Sequence, residues 1–263
     1  MQIRQIVVTD HSELMKRSQA VVSFARDYRQ GDQLPPHRHR RAQLVYAYRG
    51  TMAVRTDAAS YVVPPHRAVW VPGQVEHAIE ARSAFSMRSL YLDPAQVCGL
   101  PEQVRVMQVP PLLRELIAAV AVAGNDYAED SAVARMMAVI VDQIRIQPAL
   151  AALALSLPSD PRLLRIARTL IDNPADSRNL EQWACEVGAS PRTLNRLFPA
   201  QTGMTFRDWR QQRRLLRALE LLAGGETVTD VALELGYESS SAFIAMFRRS
   251  FGVTPKRYFQ VTS

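Results

Sequence analysis

At 263 residues the chain is long enough for two domains at roughly 150 residues each. Its 48% hydrophobic and 22% charged content, with a net charge of +7, excludes a disordered or collagen-like polymer and allows a sizeable core. Gln147 to Ser159, the longest charge-free apolar stretch, falls short of the ~18 residues that span a bilayer and holds two prolines, so no membrane partner is expected.

Met1 to Asp10 lacks the apolar run of a secretory signal. Cys98 and Cys185 are far apart and outside any CxxC, which argues against a disulfide framework or a cysteine zinc site and for the cytoplasm. Arginine supplies 30 of the 32 cations. The excess is +3 over residues 1–158 and +4 over 159–263, a modest hint of a polyanion partner.

From Val21 to Leu92 short β-rich runs alternate with Pro, Gly and Asp. Val22, Phe24 and Tyr28 share one parity. Gln43 to Tyr48 and Thr51 to Thr56 flank Arg49-Gly50 as a tight hairpin. Further runs lie at Tyr61–Val63, Ala68–Val71, Ala78–Ala81 and Phe85–Leu92. About seven strands at such spacing predict a sandwich or barrel. His37 and His39, one residue apart on a strand, would share a face, and His77 from a neighbouring run could complete a set of three imidazoles. Gly31, His37-Arg38-His39, Gln43 and Gly50 fall at the spacing of the first cupin signature, and Pro72-Gly73 with His77 resembles the reduced second one. The resemblance implies a cupin-like barrel with Gln43 where metal-binding members carry Glu. Three readings stay open for His37, His39, Gln43 and His77: a divalent metal site, a metal-free pocket for a small-molecule effector, or structural histidines. His11 and His66 have no partner in the sequence pattern and read as surface residues.

After Pro101 the text turns helical. Leu112, Leu116 and Val120 recur at four-residue spacing behind Pro110-Pro111, until Gly124-Asn125 stops the run. A second helix is expected from about Glu129 to Ile146, apolar along Met136, Met137, Ile140, Val141 and Ile144. Two such helices pack on the barrel, on each other or on a second copy of the chain. Pro148 to Ser159 reads as a linker.

From Asp160 the pattern is all α and contains a repeat. Leu180 to Gly188 followed by Ala189-Ser190-Pro191 and a helix to Gly203 recurs as Val228 to Gly236 followed by Tyr237-Glu-Ser-Ser and a helix to Gly252. Helix, glycine turn, helix, twice, is the grammar of paired helix-turn-helix units. Arg192, Asn195 and Arg196 lie opposite Leu194, Leu197 and Phe198, and such residues can pair with guanine and adenine edges. Between the copies, a helix from about Thr205 to Ala223 gathers Arg207, Arg210, Arg213, Arg214 and Arg217 in one sector. At ~1.5 Å per residue it is about 28 Å long, enough to separate two recognition helices by about one DNA turn.

Residues 160 to 260 resemble the DNA-binding region of the AraC/XylS regulators, on Val231-Ala232, Leu235-Gly236-Tyr237, Ser241-Ala242-Phe243, Phe247-Arg248-Arg249, Phe251-Gly252 and Thr254-Pro255. The resemblance assigns base contacts to Arg192, Thr193, Asn195 and Arg196 in the first recognition helix, and to Ser240, Ser241 and Ile244 in the second. Phosphate contacts fall to Arg207, Arg210, Arg214, Arg217 and Arg248. Ala245 stands where relatives can carry Arg, which weakens base reading by the second helix, and Pro199 should shorten or bend the end of the first. Pro35 to His39, Gln43 to Ala47 and Val69 to Pro72 resemble a subgroup that can control a neighbouring exporter gene.

The expected architecture is a cupin-like antiparallel β-barrel over residues 1–100, a helical dimerisation and linker region over 101–157, and an all-α double helix-turn-helix over 158–263. The expected function is a homodimeric transcription regulator that binds double-stranded DNA and an effector and recruits RNA polymerase. A metal-dependent cupin oxygenase or isomerase is the rival reading.

Overall fold

The computed structural model describes residues 11–64, 66–150 and 154–260, so the signal-peptide reading of Met1–Asp10 lies outside the described residues. The chain folds as two compact units, Met1–Thr56 with Val63–Ala151 and Asp57–Val62 with Ala152–Ser263.

The first unit is built on two antiparallel sheets. One has the order β1 (Val21–Tyr28), β8 (Phe85–Leu92), β3 (Ala42–Arg49), β6 (Arg67–Val71), β9 (Arg105–Gln108). The other sets β4 (Met52–Arg55) and β2 (Gln33–His37) on either side of β7 (His77–Ala81). Along β3, Ala42, Leu44 and Tyr46 point to one face and Gln43, Val45 and Ala47 to the other, and all six are buried. The chain turns tightly after Arg49 but forms no hairpin there, against expectation: β3 pairs with β8 and β6, and β4 pairs with β7, so the turn carries the chain from one sheet to the other. Gly50 is required at this turn: its φ is +77°, and a Cβ would lie 2.2 Å from the Ala84 carbonyl oxygen.

The face of β3 that carries Leu44 and Tyr46 is covered by α2 (Pro111–Ala123) and α3 (Ala132–Ile146). Leu113, Ile117 and Val120 of α2 and Met137, Ile140, Val141 and Ile144 of α3 join Trp70, Leu90 and Met107 in one cluster. Of the expected stripe, Val120 is buried and Leu116 packs against the core, but Leu112 faces outward and the buried arc starts one position later. Leu113 and Ile117 are buried, whereas Leu112 is 55% exposed. In a run this rich in Leu, Ile, Val and Ala, periodicity alone does not choose the buried arc. Helix α2 ends at Gly124, and the Asn125 side chain then pairs with the Ser23 backbone, accepting from its N–H at 2.7 Å and donating to its carbonyl at 2.9 Å.

Two strands occupy text that reads as helix or linker. In β9, Val69 pairs with Val106 and Ala68 with Met107. Strand β10 (Ala154–Ser156) belongs to the second unit, where it pairs with β5 (Ala59–Val63) through Leu155↔Ser60. Both are short edges whose pairing partner lies far away in sequence, so local pattern carries little trace of them.

In the second unit, α4 (Pro161–Asp172) starts at an Asp160 cap. The pair α5 (Leu180–Val187) and α6 (Pro191–Thr202) turns at Gly188, which is left-handed, and is capped by a reciprocal Asn179/Gln182 box and by Ser190. Helix α7 (Phe206–Ala223) leads to the second pair, α8 (Val228–Glu234) and α9 (Ser240–Phe251), closed by α10 (Pro255–Gln260). Trp183, Leu194, Phe198, Trp209, Leu216, Leu219, Phe243 and Phe247 form the interior. Helix α6 runs past Pro199 to Thr202, so the proline does not shorten it. The carbonyl of Asn195 loses its helical donor to the proline, but Asn195 is exposed, so water can replace it.

Ile140→Ala should cost about 2–5 kcal/mol by leaving a cavity beneath the sheet, whereas Val139→Ala, on the outer side of α3 and 41% exposed, should stay within about 0.5 kcal/mol. Denaturant unfolding of the two variants measures this difference, and equal losses would contradict the packing.

Candidate nucleic-acid interface and effector pocket

The two helix-turn-helix pairs differ in what they present. On α6, Arg192, Asn195 and Arg196 are exposed, while Leu194 and Phe198 on the opposite side are buried. The Thr193 hydroxyl is turned back onto Ser190, 2.9 Å away, within the helix cap. On α9, Ser241 is exposed, Ser240 contacts Thr229 at 3.3 Å, Ile244 is half-buried, and Arg248 emerges in the last turn. The first helix offers long donors and the second offers short hydroxyls and an aliphatic.

The arginines of α7 are largely taken up within the protein. Arg213 is buried and donates to the Ile171 carbonyl at 2.7 Å; Arg214 donates to Pro174 O at 2.8 Å and lies over the Tyr237 ring. Arg210 donates to Arg178 O at 2.9 Å, and burial lowers its pKa. Arg217 is paired with Glu220 at 3.1 Å and Glu234 at 2.8 Å. Of the five, Arg207 alone is exposed. Angular sorting on a helical wheel separates cations from apolar residues, but it does not say whether the cationic side meets solvent or another segment's carbonyls. Here the last turn of α4 offers one such carbonyl, at Ile171, and the connection to α5 offers two, at Pro174 and Arg178. The ring of Trp183 is covered in turn by Arg178, which is also paired with Asp176 and Glu186.

In the first unit, His37, His39, Gln43 and His77 come together as the spacing predicts. His37 ends β2 opposite His77, across a bulge between Leu34 and His37. His39 lies beyond the strand, in the segment before β3, and its ring is 5.8 Å from that of His37. The His37 and His77 rings are 4.4 Å apart, and one nitrogen from each of the three lies within 4.8 Å of the others. Each Nδ1 faces a backbone carbonyl: Pro35 O at 2.9 Å, Arg41 O at 2.6 Å and Val75 O at 3.0 Å. A carbonyl only accepts, so Nδ1 carries the proton and Nε2 is the acceptor, the outer hydrogen bonding that fixes a ligating imidazole. Burial lowers the His39 pKa and so favours the neutral ring. Gln43 Oε1 is 3.1 Å from His39 Nε2 and 3.0 Å from His77 Nε2, and its amide nitrogen donates to Tyr91 Oη at 2.8 Å and Ser89 Oγ at 3.2 Å. Three imidazoles held in this way fit a borderline divalent transition metal.

Two clefts that no sequence motif marks lie beside the larger packing layers. One, of about 620 Å³, is lined by Arg40, Trp70, Asp93, Val97 and Leu100; the other, of about 590 Å³, by Gln19, Val21, Tyr127, Met137 and Val141. They arise where helices and the 93–102 connection meet the sheet, a long-range juxtaposition that no local motif encodes.

A helix-turn-helix domain model matches residues 183–260, and an AraC-like ligand binding domain model matches residues 19–157, more than half of the chain. The chain belongs to the AraC family of transcription regulators. This AraC-family chain is 36% identical over 224 residues to the HTH-type transcriptional regulator NimR of Escherichia coli strain K12, covering 85% of this chain and 81% of NimR. Among solved structures it is similar to ToxT of Vibrio cholerae, at a TM-score of 0.39 and 10% identity over 93% of this chain and 100% of that one. The DNA-binding domain of the global transcriptional factor AdpA, solved with a target DNA, matches at a TM-score of 0.37 and 29% identity over 39% of this chain and 93% of that domain. This regulator therefore joins an antiparallel ligand-binding domain to a DNA-binding double helix-turn-helix. Among the described residues no helix is long and apolar enough to cross a membrane.

Two outcomes follow for the DNA-binding unit. Arg213→Ala should destabilise it by about 1–3 kcal/mol through a stranded carbonyl and lost packing, measured as a lower unfolding midpoint. The Asp160 carboxyl is held down at about 2, mainly by hydrogen bonds from the Arg162 guanidinium. Its stabilisation is therefore complete above an ordinary aspartate pKa of about 4 and is lost as pH falls through about 2. Asp160→Asn should flatten thermal stability across that window, and a variant as acid-sensitive as the parent would refute the assignment.

Proposed function

We propose that this AraC-type regulator acts as a homodimer in the cytoplasm. An effector bound near His37, His39, Gln43 and His77 changes how the two DNA-binding units are presented to an operator, and so changes recruitment of RNA polymerase. The observation that carries the DNA side is the contrast between α6 and α7. Arg192, Asn195 and Arg196 stand exposed on a recognition helix, while the neighbouring arginines are spent on internal carbonyls and carboxylates. Base reading is assigned to Arg192, Asn195 and Arg196, with smaller contributions from Thr193, Ser240, Ser241 and Ile244. The phosphate contacts rest on Arg207 and Arg248. Arg210, Arg214 and Arg217 serve first to brace α7.

Dimerisation is supported by apolar side chains left on the outside of α2 and α3: Leu112, Val122 and Ile146 are more than half exposed. The barrel is a receptor and not a catalyst in this reading, because the relatives are transcription regulators. An adjacent exporter gene is the proposed target, on the resemblance of residues 35–47 and 69–72.

Footprinting on the DNA beside its own gene, at two or more salt concentrations, tests the assignment. Arg196→Ala should cost about 1–3 kcal/mol on the operator and relax base preference in one half of the site. Arg207→Ala should weaken all sequences alike and lower the salt slope by about 1. If the two variants behave identically, the division of roles is wrong; if no salt-sensitive protection occurs anywhere in a genome-wide pull-down, the DNA reading itself fails.

A further inference from the structure

We infer that α9 recognises its half of the operator through the C5-methyl groups of thymine, with Ala242, Ile244 and Ala245 as the contacting side chains. This rests on the reading of α6 and α9 as the two recognition helices and names the chemistry that the second of them recognises.

The two helices match position for position. Each runs for 12 residues, opens behind a serine cap (Ser190, Ser239) and closes on a left-handed glycine (Gly203, Gly252). Their buried anchors, Leu194 and Phe198 in α6 and Phe243 and Phe247 in α9, occupy the same places between those ends. Arg192 is therefore equivalent to Ser241, Thr193 to Ala242, Asn195 to Ile244 and Arg196 to Ala245.

At those equivalent places the chemistry is replaced wholesale. Helix α6 presents two guanidinium forks and an amide, which suit guanine and adenine edges. Helix α9 presents one hydroxyl and three alkyl groups. The hydroxyl of Ser241 can donate or accept, so it separates base pairs poorly. An alkyl group finds one apolar partner among the base edges of the major groove, the methyl of thymine. Ser241, Ala242 and Ala245 are exposed and Ile244 is half-buried beside them, so this surface is not used up in packing the domain.

Reach follows from the same residues. Alkyl groups are in contact only when their carbons come within about 4 Å, so a helix that reads with Cβ atoms must lie deep in the groove. Short side chains permit that approach. Arg248 and Arg249, exposed in the last turn of α9, offer cations to the flanking phosphates, which position the helix without reading sequence. The operator is then read in two unlike ways, by hydrogen bonds in one half and by methyl groups in the other.

Fluorescence anisotropy with the full-length protein and its footprinted operator tests this, each thymine being replaced in turn by deoxyuridine. That change removes the methyl and keeps every hydrogen-bonding group. The half whose base preference relaxes in Arg196→Ala belongs to α6, and the other half to α9. In the α9 half, one or more thymines should lose about threefold to fivefold in affinity on replacement, the worth of one buried methyl. Ile244→Ala and Ala245→Gly should each bind thymine and uracil alike at the position that the missing group contacted. Thermal unfolding checks that both variants fold; if either does not, the response of the parent to uracil still decides.

An α9 half that contains no thymine, or that accepts uracil at every position without loss, would overturn the inference. So would a thymine preference that survives in uracil, which reports duplex shape and not the methyl. Salt-sensitive binding of the unmodified operator together with indifference to uracil keeps the DNA reading and removes this inference alone. Absence of specific binding removes both.

Discussion

The buried guanidinium of Arg213, donating to the carbonyl of Ile171 at 2.7 Å, is the contact on which the reading head depends. It fixes α7 to the end of α4, and Arg214 and Arg210 extend the same attachment along the connection to α5 through Pro174 and Arg178. Without it, the helix that joins the two helix-turn-helix pairs would lose its buried polar tie to α4. A loose α7 would let the two recognition helices vary in spacing, and a duplex tolerates little such variation because its groove repeats at a fixed pitch. Charge that looks made for phosphate is thus spent largely on internal geometry.

The barrel applies a similar economy. One face of the sheet that contains β3 is sealed by α2 and α3, and the opposite face carries Gln43, Ser89 and Tyr91 towards the histidines. Because β3 is buried on both faces, a shift of register by one residue would send Gln43 into the helix-packed layer and Leu44 into the polar cluster. The hydrophobic demand of α2 and α3 therefore sets which residue meets His39 and His77. Packing on one side of a sheet specifies chemistry on the other.

What was legible in the sequence was local or repeated. The two helix-turn-helix pairs show through because glycine turns, the serines that open α6 and α9 (Ser190 and Ser239), and the apolar positions of those helices recur in order. The histidine cluster shows through because spacing along the chain encodes the motif. Strands β9 and β10 do not, since three or four residues pairing with a distant edge leave no period of their own. Nor does the buried arc of α2, where Leu112 and Leu113 are equally apolar and tertiary contact selects between them. The fate of the α7 arginines was hidden for a related reason: a one-dimensional pattern sorts polarity by angle, and the carbonyls that receive Arg213 and Arg214 belong to another segment.

The pairing of β5 with β10 makes the boundary between the units a matter of threading. The chain passes from one unit to the other three times, at residues 56/57, 62/63 and 151/152. No single cut, by a protease or by a cloning boundary, releases a DNA-binding unit with all of its parts. A fragment beginning at residue 158 lacks both strands and with them the Ser156 carbonyl, to which the indole N–H of Trp209 donates at 2.7 Å. Residues of the amino-terminal half thus take part in completing the carboxy-terminal one, and in this chain the Trp209 indole would need another acceptor if that half were made alone.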